Sequence, residues 1–191
     1  MWWFFSRFVK KIDGLENLPA APAIIVANHE SDVDGPLLYF LLTKFKNQQV
    51  FPIVTDERVA NWFGDLLVRH FGGARVHSGA VAKAHEALEQ GKYVLIFPEG
   101  QRTFDGKLQK VSYTGIGVLA VLSKAPVVPV HITSYQFWSR HMARPSWKNK
   151  MKITIGIPRV FHGKVKKGWV DKRDAKNVVA RVMQDVKLLG K

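Results

Sequence analysis

Tyr93-Val94-Leu95-Ile96-Phe97-Pro98-Glu99-Gly100-Gln101-Arg102-Thr103 is the stretch from which the rest of the chain is read. Its first five residues are an unbroken apolar run, the pattern of a strand buried on both faces. Pro98 ends the run and Gly100 permits a tight turn, so a carboxylate, a glycine and an arginine are left on a loop at the strand's end. Working outward, residues 24–27 read as a second buried strand, running into Asn28-His29-Glu30-Ser31-Asp32-Val33-Asp34. Residues 50–54, 74–77, 126–132 and 151–157 read as further strands. Residues 36–45, 61–70, 78–90, 115–123 and 171–189 read as helices. Gly72-Gly73 and Gly91 close two of these, and Val178, Val179, Val182, Val186 and Leu189 share one side of the last. Strands alternating with helices predict an α/β fold, a single-domain αβ sandwich around a mostly parallel sheet. Ligands of such sheets bind beyond the carboxyl ends of strands, and both informative strings start where a strand stops.

The bulk numbers narrow the partners. A chain of 191 residues is long enough for one domain with a real core. Its 29 Lys and Arg against 15 Asp and Glu give a net charge of +14. That favours a polyanionic partner, either nucleic acid or an anionic membrane, over a plain solvated basic surface. No RNP, helix-turn-helix or zinc pattern supports a nucleic-acid binder, so the expectation is no nucleic acid. The absence of cysteine excludes disulfides, thiolate nucleophiles and thiolate metal sites. No apolar run, residues 36–42 included, approaches the ~20 residues of a membrane span.

The first residues, Met1-Trp2-Trp3-Phe4-Phe5-Ser6-Arg7-Phe8-Val9-Lys10-Lys11, set aromatic rings ahead of a basic pair. They lack the charged start and small-residue cleavage site of a signal peptide. Residues 1–11 read as a short aromatic helix lying in a membrane interface, ahead of a domain at 12–191. The alternative is that the rings cap a groove in the core.

His29 precedes Asp34 by five positions. On a regular helix that spacing points the two side chains apart, so they meet only if the segment is partly a turn. Asp32-Val33-Asp34-Gly35-Pro36 supplies one. Asp34 can then hold one imidazole nitrogen and leave the other to accept a proton. The competing reading has Asp34 capping the next helix and His29 satisfied by backbone. Asp32, inside the turn, reads as a solvated turn residue. Ser31 is too near His29 in sequence to serve as its nucleophile, so direct attack by a substrate hydroxyl fits better than a covalent intermediate. In the second string, the Arg102 guanidinium suits bidentate phosphate binding. Glu99 either holds Arg102 or bonds substrate hydroxyls, and Thr103 adds a donor. The competing reading there is a surface turn with an ion pair inside the loop.

Taken together, Asn28-His29-x₄-Asp34 and Phe97-Pro98-Glu99-Gly100-x-Arg102-Thr103, about seventy residues apart, resemble the lysophosphatidic acid acyltransferase family, the 1-acyl-sn-glycerol-3-phosphate acyltransferases and their glycerolipid relatives. Ile12-Asp13-Gly14-Leu15-Glu16-Asn17-Leu18-Pro19 is similar to the family's lead-in, and Val127-Val128-Pro129-Val130 to its fourth block. The resemblance covers roughly residues 10–135. It implies an αβ sandwich on the cytoplasmic face of a membrane, peripheral or monotopic, with an anionic membrane surface as partner. It implies a catalytic His29 as general base oriented by Asp34, and a lysophospholipid acceptor bound by Glu99, Gly100, Arg102 and Thr103. Val128 and Pro129 would line the acyl-donor region. Acyl-CoA or acyl carrier protein would be co-substrate, with no metal and no tightly bound cofactor. The expected product from 1-acyl-glycerol-3-phosphate is phosphatidate; the alternatives are a different lyso-lipid or hydroxylated acceptor or, in another class, a non-catalytic basic membrane- or nucleic-acid-binding protein. Two departures stand out. Ser78 occupies the place of the family's second-block arginine, with Arg75 three residues earlier, and Tyr113-Thr114 stand where the family has a lysine.

Overall fold

The apolar runs at 24–27 and 93–97 become the middle of a seven-stranded sheet. The computed structural model describes residues 3, 6–20, 22–54, 73–75, 79–166 and 169–191. The sheet contains β1 (Val9–Asp13), β2 (Ala23–Ala27), β3 (Val50–Val54), β4 (Ala74–Arg75), β5 (Tyr93–Ile96), β6 (Val127–Thr133) and β7 (Met151–Ile155), in the order β1-β7-β6-β2-β5-β3-β4. β2 is central and parallel to both β5 and β6. β3 is parallel to β5 and to β4. Only β7 and β1 run the other way: β7 is antiparallel to β6, and β1 is parallel to β7.

Alternation along the strands builds two cores. Ile24, Val26, Val94, Ile96 and Val127 face one side of the sheet, whereas Ala23, Ile25, Ala27, Tyr93, Leu95, Val128, Val130 and Ile132 face the other. The first side is covered by α2 (Ala80–Glu89), α3 (Gly115–Ser123) and α5 (Lys172–Leu189). The second is covered by α1 (Asp34–Lys46) and the short α4 (Tyr135–Trp138). α5 buries Ala175, Val178, Val179, Val182, Met183 and Val186, one apolar stripe at helical spacing. Its start is capped by Asp171, whose carboxylate accepts the Arg173 N–H at 2.7 Å. A two-stranded ribbon, β8 (Val165–Lys166) with β9 (Trp169–Val170), precedes it. No helix among the described residues is long and apolar enough to cross a membrane.

The structure corrects the expected N-terminal boundary. Val9, Lys10 and Lys11 belong to β1 and not to an interfacial helix, because Val9 pairs with Met151 and Lys11 with Lys152 on β7. Phe8 packs against the second core, its ring 5.3 Å from Phe137 and 5.0 Å from Trp147. Trp3 is 72% exposed. The helix expected at 61–70 lies outside the described residues, as do residues 76–78, which include Ser78.

Candidate active site

Three parallel strands end side by side, and each contributes a loop. β2 runs into Asn28 and His29, β5 into Glu99 and Gly100, and β6 into Ser134 and Tyr135. Asn28 locks the first and third together: its side chain donates to the Ile132 carbonyl at 2.8 Å and accepts the Ile132 N–H at 2.7 Å. The amide thereby extends the sheet ladder by one side-chain rung past the end of β2.

The next residues turn before α1 begins at Asp34, and the turn closes around the Asp34 carboxylate. Its Oδ2 accepts from the His29 ring Nδ1 at 3.1 Å, the Glu30 N–H at 2.6 Å and the Ser31 N–H at 2.7 Å. Its Oδ1 accepts the Ser134 hydroxyl at 2.6 Å. Asp34 is wholly buried and caps nothing, since α1 has Val33 at its cap position with no side-chain bond. A carboxylate oxygen that accepts from Nδ1 puts the imidazole hydrogen there and leaves the Nε2 lone pair. Nε2 has no hydrogen-bond partner among the described residues, and the side chain is 20% exposed. The ring stacks on Phe97, centroids 4.5 Å apart, which fixes its plane.

Two more carboxyls lie under this pair. Glu30 Oε2 accepts the Ser134 and Tyr135 N–H groups, each at 2.7 Å, and Oε1 accepts from the Asn28 amide at 3.2 Å. Burial pushes its pKa up to about 7, opposed by the two N–H bonds and aided by the charges of Asp34 and Glu99. Glu99 accepts the His29 N–H on Oε1 at 2.8 Å and the Gln109 N–H on Oε2 at 2.5 Å. Burial raises it too, to about 7, against those same bonds.

Glu99 therefore does not hold Arg102, nor does it face outward to an acceptor. Both oxygens are taken by backbone, and the residue is 1% exposed. Thr103 is likewise buried: its hydroxyl donates to the Lys107 carbonyl at 2.6 Å, and its N–H donates to the His29 carbonyl at 2.8 Å. Gly100 has φ +73°, and a Cβ there would lie 2.3 Å from Tyr113 Cε2. Glycine is needed both for the turn and for that ring. Arg102 pairs with Asp32, so the turn aspartate is no bystander. Arg102 Nε is buried and has no hydrogen-bond partner among the described residues. Val128 and Pro129 lie in the interior of β6, both buried, and so offer no open surface to an acyl donor.

A sequence model of the family described as Acyltransferase matches residues 10–133, which include every one of these residues except Ser134 and Tyr135. The chain belongs to the acyltransferase family. This family member is 29% identical over 137 residues to a 1-acyl-sn-glycerol-3-phosphate acyltransferase of Pseudomonas aeruginosa, covering 68% of the chain and 51% of the relative. It is 32% identical over 127 residues to the chloroplastic 1-acyl-sn-glycerol-3-phosphate acyltransferase LPAT1 of Arabidopsis thaliana, covering 64% of the chain and 35% of that relative. It thus spans about half, or less, of the length of these curated relatives. The crystal structure of the 1-acyl-sn-glycerophosphate (LPA) acyltransferase PlsC from Thermotoga maritima shares the fold with a TM-score of 0.68 and 27% identity, over 96% of this chain and 73% of that one.

Sequence reasoning passed over Asn28's ladder role, Glu30, Ser134 and a cluster after β6. There Tyr135 Oη and His141 Nε2 both donate to the Phe104 carbonyl, at 3.0 and 2.9 Å. Ser134 had a signal: it follows a buried strand as His29 does. Among the described residues, no group of three or more His, Asp or Glu side chains is placed to hold a metal ion.

Proposed function

We propose that this acyltransferase-family chain moves a fatty acyl group from the thioester of acyl-CoA or acyl carrier protein to the free hydroxyl of 1-acyl-glycerol-3-phosphate, giving phosphatidate. The observation that carries it is the 3.1 Å contact from His29 Nδ1 to Asp34, with Nε2 free of partners among the described residues. His29 Nε2 takes the proton of the acceptor hydroxyl as its oxygen attacks the thioester carbonyl carbon. The new C–O bond forms, the C–S bond breaks, and the thiolate leaves with the proton returned from the imidazolium. A base held in this way contributes about 10²–10⁴-fold in rate.

Arg102 is the residue we assign to the acceptor phosphate. Its buried Nε–H has no partner among the described residues, a state that costs roughly 1–3 kcal/mol until an oxygen arrives. The phosphate competes with Asp32 for the rest of the guanidinium. Docking on an anionic membrane from its cytoplasmic face is supported by the +14 charge and by one aromatic-cationic cluster. In it, exposed Trp3 lies 4.8 Å from the Arg7 guanidinium, exposed Trp147 packs at a tilt against Phe8, and Lys150 donates to the Arg7 carbonyl. Such pairs of rings and cations suit a headgroup layer.

The test is a panel of lyso-lipid acceptors offered to the purified protein with one radiolabelled acyl-CoA, and separately with acyl carrier protein. Labelled phosphatidate is expected from the wild-type chain and none from His29→Ala, which should still sediment with anionic vesicles. An equally active His29→Ala protein would remove the mechanism.

A further inference from the structure

We propose that Arg140, just after α4, is a second phosphate-binding residue at the mouth of this site, an inference that rests on the acyl-transfer reading above. Arg140 lies beyond the residues 10–133 that carry the family match. It is fixed by two contacts: Nη1 donates to the Arg102 carbonyl at 3.3 Å, and the guanidinium carbon sits 3.8 Å from the centroid of the Phe104 ring. The carbonyl it bonds and the N–H of Thr103 belong to one peptide unit, and that N–H donates to the His29 carbonyl at 2.8 Å. Arg140 is therefore one peptide away from the backbone of the proposed base. Tyr135 and His141 grip the Phe104 carbonyl of the same loop, so Arg140 is held against a fixed platform.

The two arginines differ in charge balance. Arg102 already faces the Asp32 carboxylate. Among the described residues Arg140 forms no ion pair; a carbonyl is its hydrogen-bond partner and a ring its cation–π partner. A guanidinium flat on an aromatic face keeps its fork of donors ordered at little entropic cost, and that fork matches phosphate. In 1-acyl-glycerol-3-phosphate the phosphate is only a few bonds from the reacting hydroxyl, so an acceptor seated at His29 would carry its phosphate toward the loop that Arg140 holds. Coenzyme A carries the same chemistry on its donor side. The site takes a phosphate, and kinetics decide whose.

The experiment compares wild type with Arg140→Gln. KM and kcat are measured for lysophosphatidate, for acyl-CoA, and for 1-monoacylglycerol, which is the acceptor without its phosphate. Equilibrium binding of lysophosphatidate and of CoA is measured alongside. KM for lysophosphatidate is expected to rise about tenfold with little change in kcat or in monoacylglycerol turnover, the scale of a lost charge-assisted bond. A rise confined to acyl-CoA and CoA also upholds the site and assigns it to the donor. Unchanged KM values for both, or an equal loss of kcat on every acceptor, overturn it. Should wild type transfer to no acceptor, the acyl-transfer reading fails on its own, and the binding arm alone then decides: weaker lysophosphatidate or CoA binding by Arg140→Gln sustains the phosphate contact, equal binding refutes it. If Arg140→Gln does not fold, Arg140→Lys, which keeps the charge and loses the fork, is read in the same way.

Discussion

The loops after β2 and β5 each bury a carboxylate against backbone N–H groups, yet the two carboxylates have different surroundings. Asp34 gathers most of its donors from its own loop: the His29 ring and the N–H groups of Glu30 and Ser31, with Ser134 added from the end of β6. Glu99 gathers one donor from His29, seventy positions away, and one from Gln109, ten positions on. The first carboxylate aims a ring. The second sets how far apart two strand ends stand. Burial is shared by both, so burial alone does not distinguish a carboxylate that orients a ring from one that braces the scaffold; the identity of the donors does.

That contrast is most directly broken at Asp34. Asp34→Asn puts an amide N–H₂ where donors already point, so the His29 ring loses its acceptor or takes the wrong tautomer. We expect kcat for acyl transfer to fall by about 10²–10⁴-fold, measured at saturating donor and acceptor. Wild-type kcat in this variant would erase the distinction between the two loops. Glu99→Gln should act differently: the amide keeps one acceptor oxygen and leaves one backbone N–H unsatisfied. A loss of roughly 1–3 kcal/mol in urea unfolding is expected, with an activity loss well below that of Asp34→Asn. A larger activity loss at Glu99 would reverse the assignment.

Ser134→Ala sharpens the comparison, because among the described residues it removes the single donor to Asp34 from outside its loop. Destabilisation of about 1 kcal/mol and only a few-fold lower kcat are expected, checked by thermal melts and by the pH-rate profile of wild type against variant. Stability is also expected to depend on pH. Glu30 and Glu99 each rise from an ordinary 4.5 to about 7 on folding. The folded protein then holds protons that the unfolded chain has lost, so their stabilising contribution is complete below about pH 4.5 and fades as pH climbs through about 7. Melting temperature should fall between those values, and fall less steeply in Glu99→Gln. A flat profile in wild type would remove the claim that these groups are buried carboxyls.

The parts legible in the sequence share a physical cause. β2, β5 and β6 are short apolar runs because both faces of a central parallel strand are covered, and that pattern needs no partner to be recognised. β1 hid because Val9-Lys10-Lys11-Ile12-Asp13 is an edge strand with exposed lysines, and its partner β7 begins at Met151. A four-residue α4 and two-residue β8 and β9 carry too little periodicity to be seen. The turn at Asp32-Val33-Asp34-Gly35-Pro36 was readable from local composition, but whether it brings Asp34 to His29 was decided by the structure. The duties of Glu30 and Glu99 were not, since their donors come from elsewhere in the chain.

The order of residues in this chain was enough to specify which strands are buried on both faces and that two loops at their carboxyl ends carry the polar groups, because each depends on neighbours a few positions apart; spacing left open whether Asp34 meets His29 or caps the next helix, and only the family resemblance implied the contact. Strand register alone decided the rest: that Arg102 faces Asp32, that Glu99 holds backbone and that Arg140 reaches the same loop. Those contacts join segments tens of residues distant, and which donor finds which acceptor is settled only when the strands align.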